Sequence, residues 1–239
     1  MKLMKMNRNI FALVLTGTML LTMTACSEKK TEPSTNTKPT AITEYPLGDQ
    51  TQTAFLGNHL YITDMGKYTG IYMEDGSDEF VSDVMMVILK NEGESALQLA
   101  RINLQYSDFT ANFEVTNLPA GESVVLLEKN RHAYVEESYI RATVENLTFF
   151  QEAMSLREDQ VKLSGVNGAI TVENLTDQVM GDIYVYYKNS ATDLFYGGIT
   201  YRAKVDAGLK PGKATTVMTN HYYPEACTII DVQIMPATE

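Results

Sequence analysis

Apolar and polar residues alternate along most of the chain beyond its N-terminal region. Residues 101–106 place Ile102, Leu104 and Tyr106 on one side and polar residues on the other. Residues 109–115 alternate in the same way. Because successive side chains of a strand point to opposite faces, a period of two predicts half-buried β-strands.

Similar short apolar segments recur further along the chain, separated by residues that favour turns. They are 68–73, 81–89, 124–127, 161–163, 169–172, 183–188, 199–205, 214–218 and 228–234. Residues 81–89 are apolar on both parities, which predicts a strand buried on both faces. Asn167-Gly168 favours a tight hairpin turn between two of the segments. Many short strands with Gly and Pro between them predict an all-β fold of the sandwich type.

One region departs from this rhythm. In residues 142–158, the apolar side chains Val144, Leu147, Phe150 and Met154 are spaced by three or four residues. This spacing is typical of one face of a helix, so the sequence predicts a short helix here.

The two halves of the chain align with each other. Lys90-Asn91 is followed by alternating residues and then by the turn Leu118–Ser123, while Glu173-Asn174 is followed by alternating residues and the turn Leu209–Ala214. Such a repeat predicts two β-sandwiches in tandem, over residues 43–141 and 142–239. The alternative is one larger sandwich built from both halves.

These repeated motifs carry a resemblance to a known family. Asn91, Ile102-x-Leu104-x-Tyr106 and Leu118-Pro-Ala-Gly-Glu-Ser123 together resemble the immunoglobulin-like FxLYD-type β-sandwich of exported bacterial proteins. Asn174 and Leu209-Lys-Pro-Gly212 look like a more distant copy. The resemblance implies immunoglobulin-like sandwiches that serve as accessory or binding domains at the cell surface. It brings no catalytic residues, and a fold alone does not define a function.

The N-terminus has the order of a secretory signal. Three basic residues precede an apolar run over residues 10–23, which is too short to span a bilayer comfortably. The ending Thr24-Ala25-Cys26 resembles the lipobox of bacterial lipoproteins. The resemblance implies removal of residues 1–25 as a signal peptide and attachment of acyl chains, such as palmitate, to Cys26. The alternative is an ordinary secretory signal followed by a chance cysteine.

Residues 26–42 are almost entirely polar and contain Pro33 and Pro39. With so little apolar surface to bury, this segment is predicted to be a flexible tether. Two acyl chains hold a protein stably at a bilayer. We therefore expect a protein anchored through Cys26 to the extracytoplasmic face of a bacterial membrane.

The charge of the chain restricts its partners. The formal net charge is −11, and removing residues 1–25 changes it to −14, because three basic and no acidic residues leave. Such a charge argues against nucleic acid as a partner. With Cys26 lipidated, Cys227 has no partner for a disulfide, and we expect it to be a small buried residue.

Catalytic signatures are absent from the sequence. There is no Gly-x-Ser-x-Gly, no His-Glu-x-x-His and no phosphate-binding glycine loop, and His59, His132 and His221 are far apart. The sequence therefore predicts no enzyme and no cofactor, but a non-catalytic binding or scaffolding module of the cell envelope. The alternatives are a solute-binding lipoprotein of a transporter, which would need alternating strands and helices, and a hydrolase with an unrecognised site.

One turn concentrates acidic residues. Glu74, Asp75, Asp78 and Glu79 lie within six residues and form a weak candidate for calcium. Their spacing is not that of an EF-hand loop. A solvated turn is the favoured interpretation, and no metal site is predicted.

The candidate ligand-binding residues are Tyr184, Tyr186, Arg202 and Lys204. If their strands pair, the alternation places two tyrosines beside two cations on one outer face. In the first half, the alignment puts Asn103 and Gln105 at the tyrosine positions and Asn112 and Glu114 at the cation positions. The face could stack on a sugar ring or bind an anionic group of an envelope polymer or protein. The alternative is that this face packs on the first half or stabilises its own sheet.

Overall fold

The computed structural model describes residues 54–236, and the regular elements of this range are all β-strands. The predicted all-β fold is therefore confirmed. No helix within these residues has the length and apolar character needed to cross a membrane. The first half comprises β1 (Ala54–Gly57), β2 (Leu60–Ile71), β3 (Phe80–Asn91), β4 (Leu97–Gln105), β5 (Thr110–Leu118), β6 (Ser123–Leu127) and β7 (Arg141–Phe149). The second half comprises β8 (Val161–Val166), β9 (Ala169–Asn174), β10 (Ile183–Ala191), β11 (Leu194–Val205), β12 (Ala214–Met218) and β13 (Cys227–Ile234).

The two halves repeat the same order of strand pairing. In the first half, β3 lies between β2 and β6, and β4 lies between β5 and β7. In the second half, β9 lies between β8 and β12, and β10 lies between β11 and β13. A short parallel pairing of β6 with β11 joins one sheet from each half into a seven-stranded sheet.

Each half has its own buried apolar cluster. Ile102, Leu104 and Phe113 belong to the first, whereas Ile170 and Val232 belong to the second. Alternate side chains of β3 enter the first cluster, and its other face joins a further cluster of buried residues. The prediction that residues 81–89 are buried on both faces is therefore confirmed for most of that strand.

The repeat is visible in the hydrogen bonds of two buried asparagines. Asn91 Nδ2 donates to the carbonyl oxygens of Ser95, at 3.0 Å, and Leu118, at 3.4 Å. Asn174 Nδ2 donates to Gln178 and Leu209, at 2.8 and 2.9 Å. The main-chain nitrogens match as well, because Asn91 N donates to Glu122 and Asn174 N to Lys213. Each asparagine thus ties the end of a strand to the Leu-x-x-Gly turn of its own half.

The predicted helix over residues 142–158 is wrong. Residues 142–149 belong to β7, which pairs antiparallel with β4, and residues 150–158 form neither a helix nor a strand. Asn146 has a φ of 52° and lies near two shifts in the pairing register. A bulge adds one residue between Val144 and Leu147, so a strand period of two becomes a spacing of three there. The helical spacing is therefore a product of strand irregularity.

The predicted hairpin at Asn167-Gly168 is confirmed, with Gly168 at a φ of 75° between β8 and β9. The division into domains at residues 43–141 and 142–239 stays a prediction. The pairing of β7 with β4 favours a division after Phe149 over one before Ala142. The predicted signal peptide, the tether and Cys26 lie outside the described residues.

Candidate functional site

The four residues predicted to form a ligand-binding surface do share one face of β10 and β11. Tyr184 lies opposite Lys204 and Tyr186 opposite Arg202 in the antiparallel register. The Arg202 guanidinium lies 4.9 Å from the centre of the Tyr184 ring, and Lys204 Nζ lies 6.0 Å from it. We call Tyr184, Arg202 and Lys204 the outer-face cluster.

The two cations of this cluster differ in their partners. Lys204 Nζ lies 2.9 Å from Asp206 Oδ1 and 3.0 Å from Asp182 Oδ2. These contacts raise the pKa of Lys204 and lower that of Asp182. Arg202 forms no ion pair within 4.0 Å among residues 54–236, and it is exposed. Arg202 is therefore the cation of this face whose charge remains available to a ligand.

Tyr186 is placed differently from Tyr184. Its ring packs against the buried cluster of the first half, and its hydroxyl donates to Gln233 Oε1 at 3.3 Å. The neighbouring Asp231 is buried and accepts from the backbone N–H of Ser155 at 2.9 Å. At Tyr186, the face therefore packs against residues of the first half.

Next along the same strand, Lys188 is completely buried, with 0% of its surface exposed. The register of β10 with β11 shifts between Tyr187 and Asn189, next to Lys188. Its Nζ donates to the carbonyl oxygens of Ile199, at 2.8 Å, and Thr116, at 3.0 Å. It also bonds Gly198 O and Thr200 Oγ1, at 3.1 and 3.3 Å. These oxygens come from both halves of the molecule.

Glu74 approaches the same point from the first half. Its carboxylate accepts from the backbone N–H of Gly198 at 2.7 Å and of Leu127 at 2.8 Å. A Cβ on Gly198 would lie 1.7 Å from the carbonyl oxygen of Glu114, so only glycine fits there. Gly198 thus donates its N–H to Glu74 and accepts a hydrogen bond from Lys188 at its carbonyl oxygen. We call Glu74, Lys188 and Gly198 the Glu74–Lys188 joint.

Burial is the largest cause of the pKa shifts of Glu74 and Lys188. Removal from water raises the pKa of Glu74, although two backbone N–H bonds and the charge of Lys188 oppose that rise. Removal from water also lowers the pKa of Lys188, and the Glu74 carboxylate opposes that change. A buried pair held by backbone groups from both halves is suited to fixing one half against the other.

The side chains of the acidic turn contact residues of other loops. Asp75 and Glu79 both bind Arg131, at 3.1 and 2.6 Å, while Asp78 lies 3.7 Å from His221 Nδ1. With Glu74 turned into the joint, the four carboxylates do not converge on one point. Within residues 54–236, no group of three or more His, Cys, Asp or Glu side chains could hold a metal ion.

The other buried titratable groups also have structural partners. Glu128 is fully buried, and its carboxylate accepts from the backbone N–H of His132 at 2.8 Å and of Asn112 at 2.9 Å. His221 stacks on Tyr201, with ring centres 4.7 Å apart, and His59 lies in the β1–β2 turn. The three histidines of the chain therefore do not converge on one cleft.

The prediction that Cys227 is a small buried residue is confirmed. It is a free cysteine, and its Sγ donates to the carbonyl oxygen of His221 at 3.2 Å. Burial raises the pKa of its thiol to about 11, so the reactive thiolate form is disfavoured.

The register of the strands corrects the alignment of the outer face. Arg101 lies opposite Glu114 as Tyr184 lies opposite Lys204, and Asn103 lies opposite Asn112 as Tyr186 lies opposite Arg202. The tyrosines therefore correspond to Arg101 and Asn103, and the predicted match to Asn103 and Gln105 is wrong by two residues. The spacing from each asparagine of the frame to these positions is the same in both halves.

A scan against models of protein families, a search of curated proteins and a search of solved structures each find no match to this chain. Its function therefore has to be argued from its own residues.

Proposed function

We propose that this protein is a lipid-anchored lipoprotein of a bacterial surface that acts as a non-catalytic binding or scaffolding module of the envelope. In this proposal, acyl chains on Cys26 hold it at the extracytoplasmic face, and residues 26–42 form the tether. Its two halves are immunoglobulin-like sandwiches in tandem, of the FxLYD type that the repeated motifs resemble. The partner is an envelope polymer or a protein.

The observation that carries the binding role is the outer-face cluster. An aromatic ring lies under an arginine that has no ion pair among the described residues, on an exposed sheet face. The corresponding positions of the first half form an ion pair, in which Arg101 Nε lies 2.6 Å from Glu114 Oε2. The frame of the fold therefore does not require Tyr184 or Arg202. A planar ring with a guanidinium suits a sugar ring that carries an anionic group.

The placement of the titratable groups supports a non-catalytic role. Glu74, Lys188 and Glu128 are buried ionisable residues of the kind that can take part in catalysis. Each of them is hydrogen-bonded to backbone groups. Such bonds hold loops and strands in place.

The binding role is tested with purified cell walls, prepared with and without their anionic polymers. A Tyr184→Ser/Arg202→Ser variant should lose binding about tenfold or more, which is the effect of about 1.4 kcal/mol. The matched control is Arg101→Ser/Asn112→Ser, which changes the corresponding positions of the first half. Equal loss in both variants, or unchanged binding in the first, would overturn the role of this face.

The anchor is tested by fractionation of cells that express a Cys26→Ser variant. The expected result is release of the protein from membranes or retention of an uncut leader. A variant that is still processed and still membrane-bound would contradict lipidation at Cys26, whatever the cell-wall assay shows.

A further inference from the structure

The first half closes one side of its structure with a strand that has no counterpart among the described strands of the second half. β1 pairs with the start of β2, with Ala54 opposite Ile62 and Phe55 opposite Tyr61. Ala54 and Leu56 pack against the buried cluster of the first half. This strand therefore covers both the edge of the sheet and the apolar interior beside it.

The matching edge in the second half is identified by register. Leu60 lies opposite Asn91, and Val161 lies opposite Asn174, the equivalent asparagine. It follows that residues 161–163 of β8 correspond to residues 60–62 of β2, the segment that β1 covers. β8 pairs with β9 alone among the described strands. The residues before β8 form a tight turn, with Val161 N donating to Arg157 O at 2.8 Å.

A groove of about 470 Å³ lies along this uncovered edge. Two charged residues, Glu158 and Lys162, line it together with the apolar residues Leu156, Val161, Leu163, Leu175 and Ile229. Adjacent residues of a strand point to opposite faces. A groove lined by residues 161, 162 and 163 together must therefore follow the edge of the strand. Ile229 belongs to β13, the counterpart of β7, which β1 reaches in the first half.

We propose that this groove binds an extended segment of another protein, which adds as a strand to the free edge of β8. Strand addition of this kind takes its affinity from main-chain hydrogen bonds and its selectivity from alternate side chains. An uncovered edge with apolar side chains beside it is a template for such pairing. The occupant matches β1 in length and in its alternating apolar residues.

The charge at the edge specifies the middle residue of the occupant. In the first half, the Phe55 and Tyr61 rings are in contact, with centres 5.0 Å apart. Lys162 stands at the position of Tyr61, is exposed and forms no ion pair within the described residues. The occupant therefore carries a carboxylate facing Lys162, between two apolar residues that enter the groove.

The probe is a synthetic peptide with the sequence of residues 51–57, in which Phe55 is replaced. Fluorescence anisotropy with the full chain in detergent compares the Phe55→Glu peptide with the Phe55→Lys peptide. We expect the acidic peptide to bind more tightly, by about threefold or more. A Lys162→Glu variant, which changes an exposed side chain, should reverse this preference.

A second set of probes separates strand addition from simple apolar contact. Methylating the peptide nitrogens of one parity should abolish binding, whereas methylating the other parity should leave it intact, because alternate N–H groups face the partner strand. Loss with both parities or with neither would overturn strand addition. Absence of any peptide binding, or a preference that Lys162→Glu leaves unchanged, would overturn the proposed occupant.

Sedimentation of the same samples tests a second copy of the chain as the occupant. A dimer that excludes the peptide would overturn the proposal in favour of that copy. The proposal does not rest on envelope binding by the outer-face cluster, because the peptide assay contains no cell wall. Each can therefore fail without the other.

Discussion

The two halves of this molecule share a frame and differ in what surrounds it. Both tie a buried asparagine to a Leu-x-x-Gly turn, and both repeat one order of strand pairing. At matching positions outside the frame, the first half has Arg101 paired with Glu114, whereas the second has Tyr184 beneath Arg202. Contacts that recur in both copies build the fold, and contacts that occur in one copy mark where that copy has a further role.

The clearest difference occurs at one position of the central strands. Lys188 of β10 corresponds by register to Gln105 of β4, which is exposed. Lys188 is buried because the first half covers the end of its sheet, where Thr116 and Glu74 meet Gly198. The same strand position is thus an exposed polar residue in the first half, whereas in the second half it forms a contact between the halves.

The largest effect should come from breaking the Glu74–Lys188 joint. Lys188→Met removes the buried positive charge that acts on the Glu74 carboxylate, and it leaves the carbonyl oxygens of Thr116, Gly198 and Ile199 without this donor. Removing one partner of a buried charged group typically costs about 3–5 kcal/mol. Gln105→Met, at the corresponding exposed position, should change the free energy of unfolding by about 0.5 kcal/mol or less. Denaturant unfolding of the full chain measures both.

The partner variant sharpens this test. Adding Glu74→Gln to Lys188→Met removes the uncompensated carboxylate, so the double variant should lose less stability than the sum of the single variants. Strict additivity would show that the two charges do not act together. A cost at Gln105 equal to that at Lys188 would show that the comparison of the halves is mistaken.

The next effect concerns the frame, where the two halves should behave alike. Asn91→Ala and Asn174→Ala each leave buried carbonyl oxygens without a donor, because both side chains are 0% exposed. Each should cost about 2 kcal/mol, within the usual range for a buried polar group left unsatisfied. Thermal and denaturant unfolding provide the measurement. A large cost in one half with none in the other would mean that the shared frame does not stabilise both.

The frame could be predicted from the sequence, whereas the joint could not. Asn91 and Asn174 precede alternating segments and turns. Both features depend on residues that are close together in the sequence, so the sequence alone indicates them. Lys188 lies in an alternating run that assigns it to the outer face with Tyr184. The first half covers this end of the face, where Lys188 Nζ donates to Thr116 O, so the side chain is buried there. This cover is a long-range effect that a period of two does not contain.

The candidate site shows the same limit. The alternation correctly placed Tyr184, Tyr186, Arg202 and Lys204 on one face. It did not indicate that Tyr186 packs against the first half, since burial there depends on contacts between distant segments. Likewise, the charges of residues 74–79 indicated a solvated turn, but Glu74 alone turns inward to the N–H groups of Leu127 and Gly198.

A smaller effect should be seen in the pH dependence of the joint. The raised pKa of Glu74 means that the folded state holds a proton which the unfolded state has released, so this group lowers stability as pH rises above its ordinary value of 4.5. The lowered pKa of Lys188 means the reverse, so stability recovers as pH rises toward the ordinary lysine value of 10.5. Relative to the Lys188→Met/Glu74→Gln variant, the native chain should therefore be least stable near the middle of this range.

The measurement is the difference in unfolding free energy between the two proteins across that range. Taking a difference cancels the carboxylates common to both, such as Asp75 and Glu114, whose pKa values are lowered. A flat difference would show that the pKa values of Glu74 and Lys188 are the same in the folded and unfolded states. A steady slope in one direction would show that only one of the two pKa values is shifted by folding.

The smallest effect on stability should come from variants of the outer-face cluster. A small loss of stability is expected if Tyr184 serves binding, and a large loss if it serves packing. Tyr184→Ser removes a ring beneath an exposed guanidinium, an interaction worth about 0.5–1 kcal/mol. Arg101→Ser, at the corresponding position, removes an exposed ion pair of similar value, about 0.2–1 kcal/mol. Both variants should therefore unfold within about 1 kcal/mol of the native chain, while only Tyr184→Ser weakens binding to cell walls. If Tyr184→Ser instead cost several kcal/mol, the ring would belong to the packing between the halves, as Tyr186 does. The outer-face cluster would then be part of the frame of the second half, and its binding role would have to be abandoned.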